Sequence, residues 1–190
     1  PTPSSAASDV YKRQLYGLSA PKSDIYLGNS GTSMRLITGL LSAQPFRSRL
    51  VGDESLSGRP MRRVTDPLSD MGAVIEITEK GTPPVDISGT NKLTRINYLL
   101  PVASAQLKSS LILAAMYARG LSTIEEPVIT RDHTERMMSA FGCGITSNVS
   151  GCIKIEGGKD YRGTRIDVPG DISSAAFFIV AALILSLIHI

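Results

Sequence analysis

Residues that bind metals, form disulfides or stack on nucleic-acid bases are scarce in this sequence. It contains no tryptophan, 5% aromatic residues, two cysteines and two histidines among 190 positions. Cys143 and Cys152 lack the spacing of metal ligands, and two scattered histidines cannot complete a metal site. We therefore expect no metal, reduced cysteines, a cytoplasmic location and a core of aliphatic side chains.

Positive charge is only slightly in excess of negative charge. The formal net charge is +3, and the basic residues are spread along the chain rather than grouped. Nucleic-acid binding normally shows a basic patch with stacking aromatic residues, so the composition predicts no nucleic-acid partner. A small anionic ligand fits the mild positive charge, and so does an ordinary protein surface.

The chain ends differ from the middle. Residues 175–190 are apolar except for Ser186 and His189, but a membrane helix needs about 20 such residues. The capping residue Asp171 precedes the run, so we expect a truncated buried helix and no membrane partner. The polar segment 1–14 has no signal-like apolar stretch and resembles translated adapter sequence, with 185–190 as its counterpart.

The middle of the chain predicts an internal repeat. Helices are expected over 32–43, 59–71, 104–118 and 132–141, and strands over 48–52, 74–78, 85–88, 94–100, 122–125, 145–149 and 152–156. The order helix, strand, helix, strand, strand begins near Thr32 and again at Ser104, with a third copy from Asp171. Each copy indicates a βαβαββ unit whose apolar face must pack on its neighbour, which predicts an α/β (α+β) fold.

A glycine-rich helix start is the first motif that suggests a binding site. In LGNSGTSMR, Gly28 and Gly31 allow a tight turn, and Asn29 and Thr32 add short polar groups. The free N–H groups of such a helix start favour an anion, which Arg35 can reach from the next turn. The same spacing also fits a plain capped helix.

A second helix start carries an arginine where helix stability alone would not place one. In GDESLSGRPM, Arg59 is predicted at the helix N-cap, with Pro60 in the first turn. A cation there opposes the helix dipole, which suggests a bidentate grip on a carboxylate or phosphate. A solvated surface arginine is the alternative.

Two further helix starts follow in the second repeat. Ser104 and Gln106 begin one helix, although capping alone explains Ser104. Asp132 and Glu135 fit a capping box in the other, and Arg131 stands just before it. If the repeats place strand ends on one side, all four helix starts converge on a site for a multiply anionic small molecule.

Five strings occur in order along the chain: LGNSGTSMRL, GDESLSGRPM, SAQLKSSLILAA, TRDHTERM and PGDISSAAFFIVAAL. Together they resemble the family of 5-enolpyruvylshikimate-3-phosphate synthases over 15–184. The resemblance implies an inside-out barrel of βαβαββ units, three in each of two domains. Residues 15–168 would be the second and third units of the first domain, and 169–190 the truncated start of the next, with 1–14 outside the family.

The resemblance also implies the reaction. The family transfers the enolpyruvyl group of phosphoenolpyruvate to the 5-hydroxyl of shikimate 3-phosphate in aromatic amino acid biosynthesis, without metal or organic cofactor. Glyphosate is its inhibitor, and the complete protein would be a monomer. The residues implied at the phosphoenolpyruvate site are Gly31, Arg59 and Gln106, supported by Asn29, Thr32 and Arg35. Those implied at the shikimate 3-phosphate site are Ser104, Ala105, Gln106 and Arg131.

The sequence departs from the family in what it leaves out. The early Lys-Ser…Arg segment and the proton-transferring carboxylates have no counterpart here, so we expect no catalytic residue and no turnover from this chain alone. Asp171 matches an acidic family position but receives no role. The alternatives are a non-catalytic anion-binding domain and the related enolpyruvyl transferase acting on UDP-N-acetylglucosamine, whose cysteine loop is not found around Cys143 or Cys152.

Overall fold

A computed structural model describes residues 18–158 and 161–167, together with the single positions 176, 180 and 181. The expectation for segment 1–14 falls outside the described residues. So do those for the third repeat copy at Asp171 and the domain start at 169–190, apart from these three single positions.

The described chain forms two successive units with the same order of strands, and the first unit has one short helix more than the second. The first contains β1 (Ile25–Tyr26), α1 (Gly31–Ser42), β2 (Ser48–Val51), α2 (Glu54–Ser57), α3 (Arg62–Asp70), β3 (Ile75–Glu76) and β4 (Val85–Ile87). The second contains β5 (Asn97–Leu99), α4 (Ala105–Ala115), β6 (Leu121–Glu125), α5 (His133–Ala140), β7 (Gly144–Ser147) and β8 (Cys152–Glu156). The predicted repeat of helices and strands is therefore confirmed.

The two units have the same sheet topology. Their four-stranded sheets have the orders β1-β2-β4-β3 and β5-β6-β8-β7. In each sheet the first two strands run parallel and the other pairings are antiparallel. Within the described residues the two sheets stay separate and do not close into a barrel. Because parallel strands end at the same edge of a sheet, each unit brings two helix starts to one edge.

The two long helices α1 and α4 join the units. Ser30 caps α1 and Ser104 caps α4, each accepting a hydrogen bond from a backbone N–H three residues on. Helix α4 is buried along most of its length, as expected for a helix that is apolar on nearly all sides. It packs directly against α1, where the Ser110 hydroxyl donates to the Arg35 carbonyl at 2.8 Å.

The predicted helix over 59–71 begins later, at Arg62, and the separate short helix α2 precedes it. Arg59 therefore lies between two helices rather than at an N-cap. Asp53 starts α2 early because its carboxylate accepts a hydrogen bond from the Leu56 N–H at 2.8 Å. Pro60 then disfavours a helical conformation at Arg59. Helix α3 begins only after Met61, which offers no side-chain cap.

The predicted capping box of α5 is also wrong. Asp132 is the N-cap residue but makes no side-chain cap bond; its carboxylate accepts from Arg136 Nε at 2.7 Å. That hydrogen bond lowers the pKa of Asp132. Glu135 turns into the protein interior, where Lys108 Nζ lies 2.7 Å away. A buried cation therefore binds the carboxylate that a capping box would have used.

The core is aliphatic, as predicted, with buried leucine, isoleucine, alanine and methionine in both units and buried valine in the first. Cys143 is buried, and burial raises the pKa of its thiol to about 11. In the described part of the chain, no three His, Cys, Asp or Glu side chains are grouped to hold a metal ion. Across the same residues, no helix has the length and apolar character needed to span a bilayer.

Candidate functional site

The loops that follow β1 and β2 lie side by side at one edge of the first sheet. The Leu27 N–H donates to the Val51 carbonyl at 2.9 Å, and the Asp53 N–H donates to the Gly28 carbonyl at 2.9 Å. Gly28 has a φ of 54°, a left-handed conformation in which glycine is favoured. This pairing of loops sets the start of α1 beside the segment that carries Arg59.

Arg59 reaches across this edge to the first loop. Its Nη2 atom donates a hydrogen bond to Asn29 Oδ1. A Cβ atom placed on Gly31 would lie 2.8 Å from Arg59 Nη1 and 3.2 Å from Arg35 Nη1. The missing side chain at Gly31 therefore lets both guanidinium groups lie against the start of α1.

Gln106 links this arginine pair to the second unit. Arg35 Nη1 donates to Gln106 Oε1 at 2.6 Å, while Gln106 Nε2 donates to Thr32 Oγ1 at 2.7 Å. Both ends of one amide thus bind groups of α1, although Gln106 belongs to the first turn of α4. The two repeats share a single polar network at this point.

The electrostatics of the network favour an anion. Burial lowers the pKa of Arg35, and the nearby positive charges of Arg59 and Arg63 lower it further. Among the described residues, the side-chain acceptors bonded to Arg35 and Arg59 are amide oxygens, and no carboxylate pairs with either guanidinium. A bound carboxylate or phosphate would offset this repulsion and accept bidentate hydrogen bonds.

The predicted site residues of the second unit are brought together only in part. Ser104, Ala105 and Gln106 form the half-buried start of α4. Arg131 is exposed in the segment between β6 and α5, and no hydrogen bond or ion pair joins it to another residue of the described chain. Hydrogen bonds around Gln106 link three of the predicted helix starts. The start of α5 also bonds to α4, through Thr134, but Arg131 takes no part in these bonds and its contribution stays a prediction.

Sequence reasoning missed a buried ion cluster next to this site. Lys108 is fully buried and lies 2.9 Å from Glu126 Oε2 and 2.7 Å from Glu135 Oε1. We call Lys108, Glu126 and Glu135 the ion cluster. The only signal in the sequence is a lysine inside the apolar run of α4, because a charge there requires a buried partner. The two partners are distant in sequence and follow from the fold alone.

Comparisons with known proteins show the family of the chain. The family model for EPSP synthase (3-phosphoshikimate 1-carboxyvinyltransferase) matches residues 6–190. The 3-phosphoshikimate 1-carboxyvinyltransferase of Alkalilimnicola ehrlichii is 57% identical over 170 residues, which are 90% of this chain and 38% of that protein. The one from Xylella fastidiosa strain Temecula1 is 51% identical over 184 residues, or 97% of this chain and 40% of that protein.

A solved structure shows the same fold. EPSP synthase from Acinetobacter baumannii, at 2.37 Å, matches with a TM-score of 0.82 and 55% sequence identity over 88% of this chain and 38% of that chain. The chain therefore spans about two fifths of the length of the relatives it matches.

Proposed function

The chain belongs to the EPSP synthase family, and we propose that it forms part of the substrate site of an enzyme that makes 5-enolpyruvylshikimate 3-phosphate. The observation that carries the proposal is the pair of arginines beside Gly31, Arg35 and Arg59. Within the pair, Arg35 is hydrogen-bonded to Gln106 of the next repeat. This pair has no bonded carboxylate among the described residues, and it lies at an edge where two loops meet. It suits a small molecule with several negative charges.

The proposed reaction transfers an enolpyruvyl group. The 5-hydroxyl oxygen of shikimate 3-phosphate loses its proton and bonds to C2 of phosphoenolpyruvate, while C3 gains a proton. The tetrahedral intermediate then loses phosphate from C2 and a proton from C3, which restores the double bond. We propose that Arg35 and Arg59 hold phosphoenolpyruvate at Gly31, supported by Asn29 and Thr32.

The second substrate is assigned to the start of α4. We propose that Ser104, Ala105 and Gln106 contact shikimate 3-phosphate and that Arg131 binds its phosphate. Gln106 would touch both substrates, since its side chain already reaches α1 from α4. Such positioning brings the hydroxyl close to the enol carbon and lowers the entropic part of the barrier.

The groups that move protons are assigned to the rest of the synthase. General acid–base catalysis requires a carboxylate, histidine or amine within about 3 Å of the transferred proton. The arginine network supplies amides, hydroxyls and guanidinium groups, none of which suits that role near neutral pH.

We propose that the complete synthase is a monomer and that it is cytoplasmic. The two free cysteines are in keeping with that location.

Titration of the purified chain with shikimate 3-phosphate tests the proposed function. We expect saturable binding by calorimetry, weakened about 10- to 100-fold in Gln106→Ala and in Arg131→Ala, because each removes a hydrogen bond to a charged ligand. Arg95→Ala is the matched control, since it removes the same charge from an exposed position. Equal loss in Arg95→Ala and Arg131→Ala would show attraction by net charge only and would refute the site.

Glyphosate provides a test of the phosphoenolpyruvate site. In a complete synthase carrying this segment, Gly31→Ala is expected to raise the inhibition constant for glyphosate by about tenfold, the size of a small overpacking cost. The added methyl group would lie 2.8 Å from Arg59 Nη1 and must displace that guanidinium. The control is Gly163→Ala, where a new Cβ meets nothing within 4 Å. Unchanged inhibition in Gly31→Ala would contradict the assignment.

A further inference from the structure

The segment that carries Arg131 has little packing of its own. It connects β6 to α5, and its side chains at Val128 and Ile129 are 65% and 60% exposed. Arg131 itself is exposed. A surface segment with few buried apolar contacts is a low-stability part of a fold. Holding a side chain in this segment at a defined place therefore requires a specific anchor.

The ion cluster anchors both ends of this segment to one atom. Glu126 is its first residue and Glu135 lies in the first turn of α5, just beyond it, and both carboxylates bind Lys108 Nζ. The side chains of Lys108 and Glu126 are 0% and 2% exposed, so water scarcely competes for these bonds. The two ends of the segment are thereby tied to the helix that begins at Ser104.

Glu126 also binds the residue next to Arg131. Its second carboxylate oxygen accepts a hydrogen bond from the Thr130 hydroxyl, while its backbone N–H donates to the Gly151 carbonyl at 3.0 Å. A further hydrogen bond, between the hydroxyls of Ser109 and Thr134 at 2.7 Å, joins α4 to α5. Within the ion cluster, Glu126 is thus the residue that bonds both to Lys108 and to a residue of the segment, Thr130.

We propose that Glu126, held by Lys108, is a positioning residue that sets Arg131 for the phosphate of shikimate 3-phosphate. The inference rests on the proposed function, because Arg131 acts there on the substrate. Glu126 does not touch the ligand in this scheme. It binds the side-chain hydroxyl of Thr130, the residue before Arg131, whose guanidinium group contacts the ligand in this scheme. Small displacements of such a group are costly, since a bidentate phosphate contact needs a fixed geometry.

A double-mutant cycle separates positioning from simple stabilisation of the fold. Glu126→Met removes the anchor but leaves Lys108 paired with Glu135, so no buried charge is stranded. We expect Glu126→Met to weaken shikimate 3-phosphate binding about tenfold when Arg131 is present and hardly at all in the Arg131→Ala background. Glu125→Met is the matched control, because it removes the same charge from the exposed neighbouring position.

The outcomes distinguish this inference from the proposed function. A similar loss of affinity in both backgrounds, or no loss in either, overturns the positioning role while the site remains. An unmodified chain that binds no shikimate 3-phosphate overturns the proposed function and this inference together. Glu125→Met is expected to keep full affinity. A tenfold loss in this control would mean that removing one negative charge explains the loss in Glu126→Met, and it would overturn the inference.

A second variant and a ligand-free measurement cover the case in which Glu126→Met does not fold. Thr130→Val removes only the hydroxyl that bonds Glu126 and is expected to give a several-fold loss that also vanishes with Arg131→Ala. The backbone amide of residue 126, which donates to the Gly151 carbonyl, should exchange faster in the unliganded variant, while α4 stays slow. Unchanged exchange at this amide would overturn the anchor.

Discussion

Lys108→Met is expected to lower the free energy of unfolding by about 3–5 kcal/mol, the usual cost of stranding a buried partner charge. The ammonium group is fully buried, and the two carboxylates that it binds are 2% and 7% exposed. Methionine fills much of the same volume but leaves both carboxylates without a cation. Because small domains are stable by about 5–15 kcal/mol, the loss is readily measured by urea denaturation.

Two controls isolate the charge effect at Lys108. Arg49 also has two carboxylate neighbours, Asp24 and Asp86, at 3.8 Å, but its side chain is 49% exposed. Arg49→Met should therefore cost at most about 1 kcal/mol, as for surface ion pairs. The triple variant Lys108→Met, Glu126→Gln, Glu135→Gln removes every charge of the ion cluster and should regain most of the stability. If Lys108→Met matches Arg49→Met, the buried pairing does not stabilise the fold.

Gly39→Ala is expected to destabilise the chain by about 1–3 kcal/mol, as overpacking of a tight interface does. A Cβ atom at Gly39 would lie 2.2 Å from the Ser110 carbonyl oxygen, which belongs to the backbone of α4. Since a backbone atom cannot swing aside, α1 and α4 must separate. The better helix propensity of alanine offsets only about 1 kcal/mol of this cost.

The same change should affect binding, because α1 and α4 carry opposite ends of the Arg35–Gln106 bond. We expect the Gly39→Ala chain to lose at least about tenfold in affinity for shikimate 3-phosphate. Gly58→Ala is the control: its φ is −89°, and a Cβ there meets only the Ser55 carbonyl oxygen at 3.8 Å. Equal stability of the two variants, measured by urea denaturation, would show that the helices are not in close contact at Gly39.

The sequence predicted the repeat and the glycine-rich helix start well because both depend on short-range features. Alternating apolar periods define the helices and strands, and Gly28 needs only its neighbours to mark a tight turn. The position of Arg59 was predicted less well. Asp53 caps a short helix before Arg59, and Pro60 delays the next helix until Arg62. These two local signals compete for the helix start, and packing decides between them.

The ion cluster shows where local patterns stop being informative. Glu135 looks like half of a capping box when only its neighbours are considered, yet it binds a lysine on another helix. Its environment is set by the burial of Lys108, and burial is a property of the packed units. No spacing along the chain links Lys108 to Glu126 or Glu135.

By itself, the sequence determined the family resemblance, the two βαβαββ units and the starts of α1 and α4, since these depend on residue order and local conformation. Only the tertiary structure decided that Arg35 and Arg59 share the space beside Gly31, that Gln106 bonds across the repeats, and that Glu126 is tied to Lys108. Those contacts join residues far apart in the chain, and they form because the sheets and helices must bury their apolar faces against each other.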